Sequence, residues 1–261
     1  MRSYTTYIMP IIVSALYFFL YIPIFVLIVF SFNDNAISYK WLGFTTGWYE
    51  QLFESTEIWH ALKNSLFVAA STVLLSLTLG SLFVFYASRA QAQRLLILFY
   101  GSLAMPEIVL AVGLLSFFSF FSVPLGAVTL IAGHTLIGLG YVIPILYGRF
   151  LEIDVSFIEA AYDLGATQRQ TFFSIILPLL RPALIASGLL VFILSLDDFI
   201  ISFFCAGASV QTLPLYIFSV IRTGASPMVN ALSTILLLVS SFCVLLFSFL
   251  QIKKVRYSNE Q

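Results

Sequence analysis

The chain has 261 residues, of which 61% are hydrophobic and only 9% are charged. Twelve basic and twelve acidic residues give a formal net charge of zero, so the charge balance does not indicate a nucleic-acid partner. So low a charged fraction is atypical of a soluble domain of this length. The composition therefore predicts an all-α, polytopic membrane protein.

Six apolar runs are long enough to cross a bilayer as helices. Their approximate bounds are 8–32, 64–87, 95–121, 127–148, 182–205 and 228–252. The first run is too long for a signal-peptide core and no small-residue cleavage site follows it, so we expect it to remain attached. Pro106 interrupts the third run, and Pro182 suits the first helical position of the fifth. The prediction is a single transmembrane domain over residues 1–261.

The placement of Lys and Arg predicts the orientation of these spans. With both termini in the cytoplasm, the inner segments carry nine basic residues, namely Arg2, Arg89, Arg94, Arg149, Arg169, Arg181, Lys253, Lys254 and Arg256. The outer segments carry three, Lys40, Lys63 and Arg222. The positive-inside rule therefore places both termini and the loop of residues 149–181 in the cytoplasm.

That loop is predicted to form two short, capped helices. Ser156 and Glu159 have capping-box spacing, and Thr167 and Gln170 repeat it. Gly165 stands where the first helix would end in a left-handed residue. An apolar stripe at helical spacing on the first helix consists of Phe157, Ala160, Ala161 and Leu164.

The second short helix is expected to carry Phe172, Phe173, Ile175 and Ile176 and to end at Pro178, because proline cannot continue a helix. An apolar face on a cytoplasmic loop indicates a docking partner. A loop that lies on the bilayer surface is the alternative.

Glu159-Ala160-Ala161, then Gly165, then Ile176-Leu177-Pro178 resembles the EAA loop of ABC-importer permeases with the MetI-like fold. The resemblance implies that this loop docks on a separate ATPase dimer, with Glu159, Ala160, Ala161 and Gly165 at the contact. The chain contains no Walker-type phosphate loop, lacking even a Gly-Lys dipeptide, so we expect it to be a non-catalytic subunit.

Three carboxylates lie inside apolar runs: Glu107, Asp197 and Asp198. Each would cost roughly 2.5–3.5 kcal/mol at the bilayer centre, and no Lys or Arg lies in the interior of any run to pair with them. We interpret them as ligands of a cationic substrate. Helix–helix bonding by a protonated acid, a proton relay and a cation on a partner subunit are the alternatives.

Adjacent residues on a helix point about 100° apart, so only one of Asp197 and Asp198 is expected to face a pathway squarely. Ser195 shares a face with Asp198 and can add a hydroxyl ligand. Trp48, in the predicted outer loop, is either a further ligand or an interfacial anchor. Carboxylates and aromatic faces together suit a polyamine, whose ammonium groups are separated by methylenes.

Four segments, together with the EAA loop, resemble the C-type permease subunits of bacterial spermidine/putrescine importers. They are Gly43–Tyr49, Met105–Glu107, Ser195–Asp198 and Ser226–Ala231. The resemblance implies the bacterial inner membrane as the location. It also implies a homologous second permease, an ATPase dimer and a periplasmic polyamine-binding protein as partners, with membrane lipid around the spans. Glu107 departs from the family, which often has Asp there.

The histidine and cysteine residues are too isolated in the sequence to indicate a metal site. His134 has no ligand partners at useful spacing and is expected to make an interhelical hydrogen bond, while Cys205 and Cys243 are interpreted as packing residues. No metal and no cofactor are expected. Another small solute carried by an ABC permease, or a secondary cation carrier, are the alternative functions.

Overall fold

The computed structural model describes residues 2–35, 40–89, 93–223, 227–239 and 241. Across these residues every regular element is helical, and the all-α prediction is confirmed for them. The elements in chain order are α1 (Arg2–Phe30), α2 (Gly47–Glu54), α3 (Thr56–Arg89), α4 (Gln93–Ala104), α5 (Glu107–Phe120), α6 (Ala127–Leu151), α7 (Val155–Asp163), α8 (Gln168–Thr171), a π-helical turn (Phe172–Ile176), α9 (Leu177–Asp197), α10 (Ile200–Cys205), α11 (Leu213–Thr223) and α12 (Pro227–Val239).

Within the described ranges, four helical segments are long and apolar enough to cross a membrane: Met9–Phe30, Thr56–Ala87, Ala127–Leu151 and Gln168–Asp197. Shorter apolar helices cover Glu107–Phe120, Leu213–Arg222 and Pro227–Val239. Most of the predicted sixth run beyond residue 239 lies outside the described residues, as do Cys243, Ser226 and the basic tail.

The third apolar run is divided into two helices at Pro106, as the sequence predicts. The α4 helix ends at Ala104, and Pro106 adopts an extended conformation with φ −57° and ψ 132°. Proline has no N–H to donate and disfavours a helical conformation in the residue before it, so the break falls at this point. Glu107 thereby becomes the first residue of α5.

The prediction that a helix begins at Pro182 is wrong. The α9 helix begins at Leu177, and Pro182 lies inside it. The prediction that Pro178 ends the preceding helix is also wrong, because the π-helical turn leads directly into α9. Pro178 is the second residue of α9 and follows the π-helical turn almost immediately. Helical structure therefore runs without interruption over Gln168–Asp197.

The predicted fifth run does not continue as one helix to residue 205. Asp198 has an extended backbone, with ψ 121°, and separates α9 from the short α10. The third and fifth apolar runs are therefore each divided into two helices by a break in the helical backbone.

The described residues fall into two compact units. One takes its residues from the ranges Met1–Thr56 and Ile217–Gln261, and the other from Glu57–Tyr216. In the first unit the segment after α1 folds back, so that Asn33 and Phe44 form an antiparallel bridge. Buried Asn33 fixes this return by donating from Nδ2 to the carbonyl oxygen of Lys40 at 2.8 Å.

The α6 helix is the centre of the second unit. Leu130 packs with Ile201 and Cys205 of α10, and Val142 packs with Val191 of α9. Cys205 is therefore a buried packing residue, as predicted.

Two glycines of α6 permit the close approach of neighbouring helices. A Cβ atom at Gly133 would lie 2.8 Å from Cγ2 of Ile201, and one at Gly138 would overlap Ser76 of α3. Glycine at these positions therefore allows the side chains of α6 to reach α9 and α10.

The first loop helix, α7, is not capped as predicted. Its N-cap is Asp154, whose carboxylate accepts the backbone N–H of Ser156 at 2.9 Å. Ser156 lies inside the helix, because the carboxylate two residues earlier already satisfies its N–H. This backbone hydrogen bond holds the pKa of Asp154 below its ordinary value of 3.8.

The end of α7 and the start of α8 follow the prediction. Gly165 has φ +82°, its N–H donates to Tyr162 O at 2.9 Å, and the Ala166 N–H donates to Ala161 O at 2.9 Å. This pair of bonds is a Schellman motif. Thr167 and Gln170 form the predicted capping box, in which the Thr167 N–H donates to Gln170 Oε1 at 2.8 Å.

Candidate functional site

A cavity of about 150 Å³ lies within the unit Glu57–Tyr216, beside the breaks in the third and fifth apolar runs. Its polar lining comes from Glu107, His134, Tyr141, Ser195 and Asp198, and the remaining wall is largely apolar. A cavity of about 150 Å³ can hold a molecule of the size of benzene. An ammonium group with a methylene segment would therefore fit.

Asp198 is held by the helix that follows it. Its Oδ1 accepts the Ile201 N–H at 3.2 Å, and its Oδ2 accepts the Ser202 N–H at 2.8 Å. These donors belong to the first turn of α10, whose N–H groups have no partner within the helix. The carboxylate therefore caps α10 at the same time as it lines the cavity.

His134 joins α6 to both sides of this break. Its Nε2 lies 3.1 Å from Oδ2 of Asp198, and its Nδ1 lies 2.6 Å from Oγ of Ser195. Nε2 also lies 3.4 Å from the hydroxyl of Ser202. The His134 and Asp198 side chains are only 2% and 7% exposed. The predicted interhelical hydrogen bond of His134 is confirmed.

Glu107 reaches the cavity from the opposite break. It begins α5, is exposed, and lines the same cavity as Asp198. A negative charge in the first turn of a helix is favoured by the helix dipole. The start of a helix therefore stabilises the negative charge of each carboxylate. No Lys or Arg is among the described residues that line the cavity.

The structure brings together three of the five predicted substrate ligands: Glu107, Ser195 and Asp198. Asp197, although described, is exposed at the end of α9 and is not among the residues lining the cavity. Trp48 belongs to the other unit, where its indole N–H donates to Asn33 O at 2.8 Å.

Sequence reasoning did not place His134 or Tyr141 at this site. Both lie on α6 and are seven residues apart, which puts them on one helical face two turns apart. That spacing was the available signal. Among the described residues, no group of three or more His, Cys, Asp and Glu side chains could hold a metal ion.

The loop of α7 and α8 presents an apolar surface to its surroundings. Leu164 is 88% exposed and Phe157 is 58% exposed, and Glu159, Ala160 and Gly165 are also exposed. An open groove of about 370 Å³ runs beside Leu164 and Gly165 towards α8 and the π-helical turn. Ala161 differs from the other predicted contact residues because it is buried, at 7% exposure.

Helices as the regular elements of the described residues, several of them apolar, with two helix breaks at a polar cavity and an exposed helical loop, are typical of an integral membrane transport component. Residues 72–256 match the family described as binding-protein-dependent transport system inner membrane component. The chain belongs to this family.

Among curated relatives, the spermidine/putrescine transport system permease protein PotC of Escherichia coli (strain K12) is 38% identical over 235 residues, covering 89% of each chain. PotC of Haemophilus influenzae is 37% identical and covers 89% of this chain and 91% of its own. The putrescine transport system permease protein PotI of Escherichia coli (strain K12) is 34% identical, covering 84% of this chain and 82% of its own.

Among solved structures, the fold is similar to a chain of a bacterial ABC transporter involved in the import of the acidic polysaccharide alginate. The TM-score is 0.70, with 94% of each chain covered at 16% identity. At this identity the similarity establishes the fold alone.

Proposed function

We propose that the chain is a permease subunit of an ATP-driven ABC importer that carries polyamines, spermidine or putrescine, across a bacterial inner membrane. The observation that carries the proposal is the cavity in which Glu107, Ser195 and Asp198 converge. The polyamine permeases to which the chain is similar over more than four fifths of its length support the choice of cargo.

The cavity suits one end of a polyamine. Carboxylate and hydroxyl oxygens accept the N–H groups of an ammonium, and charge-assisted hydrogen bonds of this kind are about twice as strong as neutral ones. The largely apolar remainder of the wall would contact methylene groups. Asp197 and Trp48 remain proposed ligands. Because Asp197 is exposed at the end of α9, it would meet the cargo outside the cavity.

The subunit is proposed to cross the membrane six times as a single transmembrane domain, with both termini and the loop of residues 149–181 in the cytoplasm. The apolar surface of that loop would dock on a separate ATPase dimer that hydrolyses ATP. A homologous second permease would complete the pathway, and a periplasmic polyamine-binding protein would deliver the cargo. ATP binding would then shift the population of inward-open and outward-open states.

Uptake of labelled spermidine by the reconstituted assembly tests this function. We expect uptake that requires both ATP and the binding protein and that is competed by putrescine but not by an acidic sugar. Uptake driven by an ion gradient alone would instead identify a secondary carrier. ATP-dependent uptake of a neutral or anionic solute, with no uptake of spermidine or putrescine, would agree with an ABC importer but would contradict the proposed polyamine cargo.

Leu164 gives a separate test of docking, because a residue exposed to 88% contributes little to the folding of its own chain. We expect Leu164→Ala to weaken co-purification of the ATPase while the permease remains folded. Leu164→Met keeps a long apolar side chain and should restore the complex. Equal recovery of the ATPase with the unaltered permease and with both variants would show that Leu164 is not part of the contact.

A further inference from the structure

The two ring nitrogens of His134 face groups with different hydrogen-bonding abilities. Nε2 faces Oδ2 of Asp198 at 3.1 Å, and Nδ1 faces Oγ of Ser195 at 2.6 Å. An ionised carboxylate only accepts hydrogen bonds, so Nε2 must carry the proton in this pair. A hydroxyl can donate or accept, so Ser195 can match whichever form Nδ1 takes.

The surroundings of Asp198 indicate that it does not need a charged ring. Its carboxylate already accepts two backbone N–H groups, from Ile201 and Ser202, and the neutral Nε2–H of His134 supplies a third donor. With a neutral ring, Nδ1 is an acceptor and the Ser195 hydroxyl donates to it. The chain of hydrogen bonds then runs from Ser195 through His134 to Asp198.

We propose that His134 is a positioning residue. It accepts the hydroxyl proton of Ser195 in a hydrogen bond that points away from the cavity, so that Ser195 can only accept hydrogen bonds from the substrate. This inference rests on the proposed function of the cavity as a cation site. A hydroxyl that cannot donate accepts hydrogen bonds from an ammonium group and gives none to an anion. His134 thus contributes to the selection of a cationic substrate by fixing the direction of the Ser195 hydroxyl hydrogen.

Nitrogen-15 NMR of the reconstituted assembly tests the protonation state directly. The chain contains two histidines, His60 and His134, and the signal absent from a His134→Gln assembly belongs to His134. We expect a neutral ring protonated at Nε2. A doubly protonated ring, or one protonated at Nδ1, would overturn the inference. The result does not depend on which solute is carried, so it can fail while the proposed function stands.

Transport kinetics supply the second test. His134→Phe fills a similar volume but has neither donor nor acceptor, and we expect it to raise the KM for spermidine about ten-fold with little change in Vmax. His134→Gln carries one acceptor and one donor and should recover part of that loss, while a merely packing role would be met better by Phe. His60→Gln, on the exposed surface of α3, is the matched control and should behave as the unaltered chain.

A double-mutant cycle links the two side chains. If His134 acts through Ser195, then His134→Phe should cost much less in a Ser195→Ala background than in the unaltered chain. Fully additive effects on KM would overturn the inference. Where His134→Phe lowers the yield of folded assembly, the comparison of His134→Gln with His134→Gln/Ser195→Ala tests the same coupling.

Discussion

Glu107 is the first residue of α5, Asp198 lies two residues before α10, and both carboxylates line one cavity. Glu107 lies in the first turn of α5, and Asp198 accepts two N–H groups from the first turn of α10. Helix N-termini favour negative charge, so the chain itself offsets part of the cost of placing acids in an apolar run. Acids in such runs are therefore explained partly by local structure and only partly by the charge of a cargo.

The two roles of Asp198 can be separated by two substitutions. Asp198→Asn keeps an oxygen that can cap α10 but removes the charge, so we expect a folded assembly with strongly reduced spermidine uptake. Asp198→Ala removes cap and charge together and should lower the stability of the assembly by about 1 kcal/mol or more. Thermal unfolding and uptake, measured on both variants, check this. Normal uptake by Asp198→Asn would restrict Asp198 to capping.

Glu107 is expected to act on the substrate more than on the fold, because its side chain is exposed. Glu107→Gln should raise the KM for spermidine about ten-fold, the equivalent of about 1.4 kcal/mol, and should lower the thermal stability only slightly, because a first-turn acid contributes at most about 1 kcal/mol. Glu107→Asp keeps the charge and should transport at near the original rate. Asp197→Asn provides a comparison from outside the cavity and should have the smaller effect. Loss of transport that is equal in Gln and Asp variants would argue against a role for the charge.

Gly165 is expected to be intolerant of a side chain, because it has φ +82° and any Cβ there is strained by about 1–2 kcal/mol. Gly165→Ala should loosen the end of α7 and reduce co-purification of the ATPase. Gly148→Ala is the matched control, since Gly148 lies in α6 without a positive φ, and no described neighbouring side chain comes within 4 Å of the position that a methyl group would take there. Equal recovery of the ATPase with both variants would show that the Schellman motif is unimportant for docking.

We expect the stability of the first turn of α7 to depend on pH through Asp154. Its pKa is lowered by the Ser156 N–H, so its contribution to stability is present above the ordinary pKa of 3.8 and is lost as the pH falls through the lower, folded value. Protection of the α7 amides from hydrogen exchange should therefore decrease on acidification below about pH 4. Asp154→Asn does not titrate, so the ratio of protection between the two chains isolates the effect. A ratio that is constant with pH would contradict the prediction.

Sequence patterns predicted most of the helical fold because long apolar runs leave the backbone few alternatives in a membrane. The break at Pro106, the left-handed Gly165 and the capping box at Thr167 were also predictable, since each depends on one residue and its immediate neighbours. Asp154 was missed as a cap because a serine at capping-box spacing follows it two residues later.

Other features depend on contacts between distant parts of the chain. Asp198 at the break contacts His134, which is 64 positions earlier in the sequence, and local patterns do not reveal that contact. Pro178 was predicted to end a helix because local rules do not include the π-helical turn that precedes it. Helix geometry predicted that only one of Asp197 and Asp198 would face a pathway, but the sequence did not show which one.

The helical segment Gln168–Asp197 is 30 residues long and begins in the exposed loop. At 1.5 Å per residue it is about 45 Å long. Its far end carries Ser195 and is followed directly by Asp198. One unbroken run of helix, with the π-helical turn Phe172–Ile176 near its start, therefore connects the exposed loop directly to the lining of the cavity.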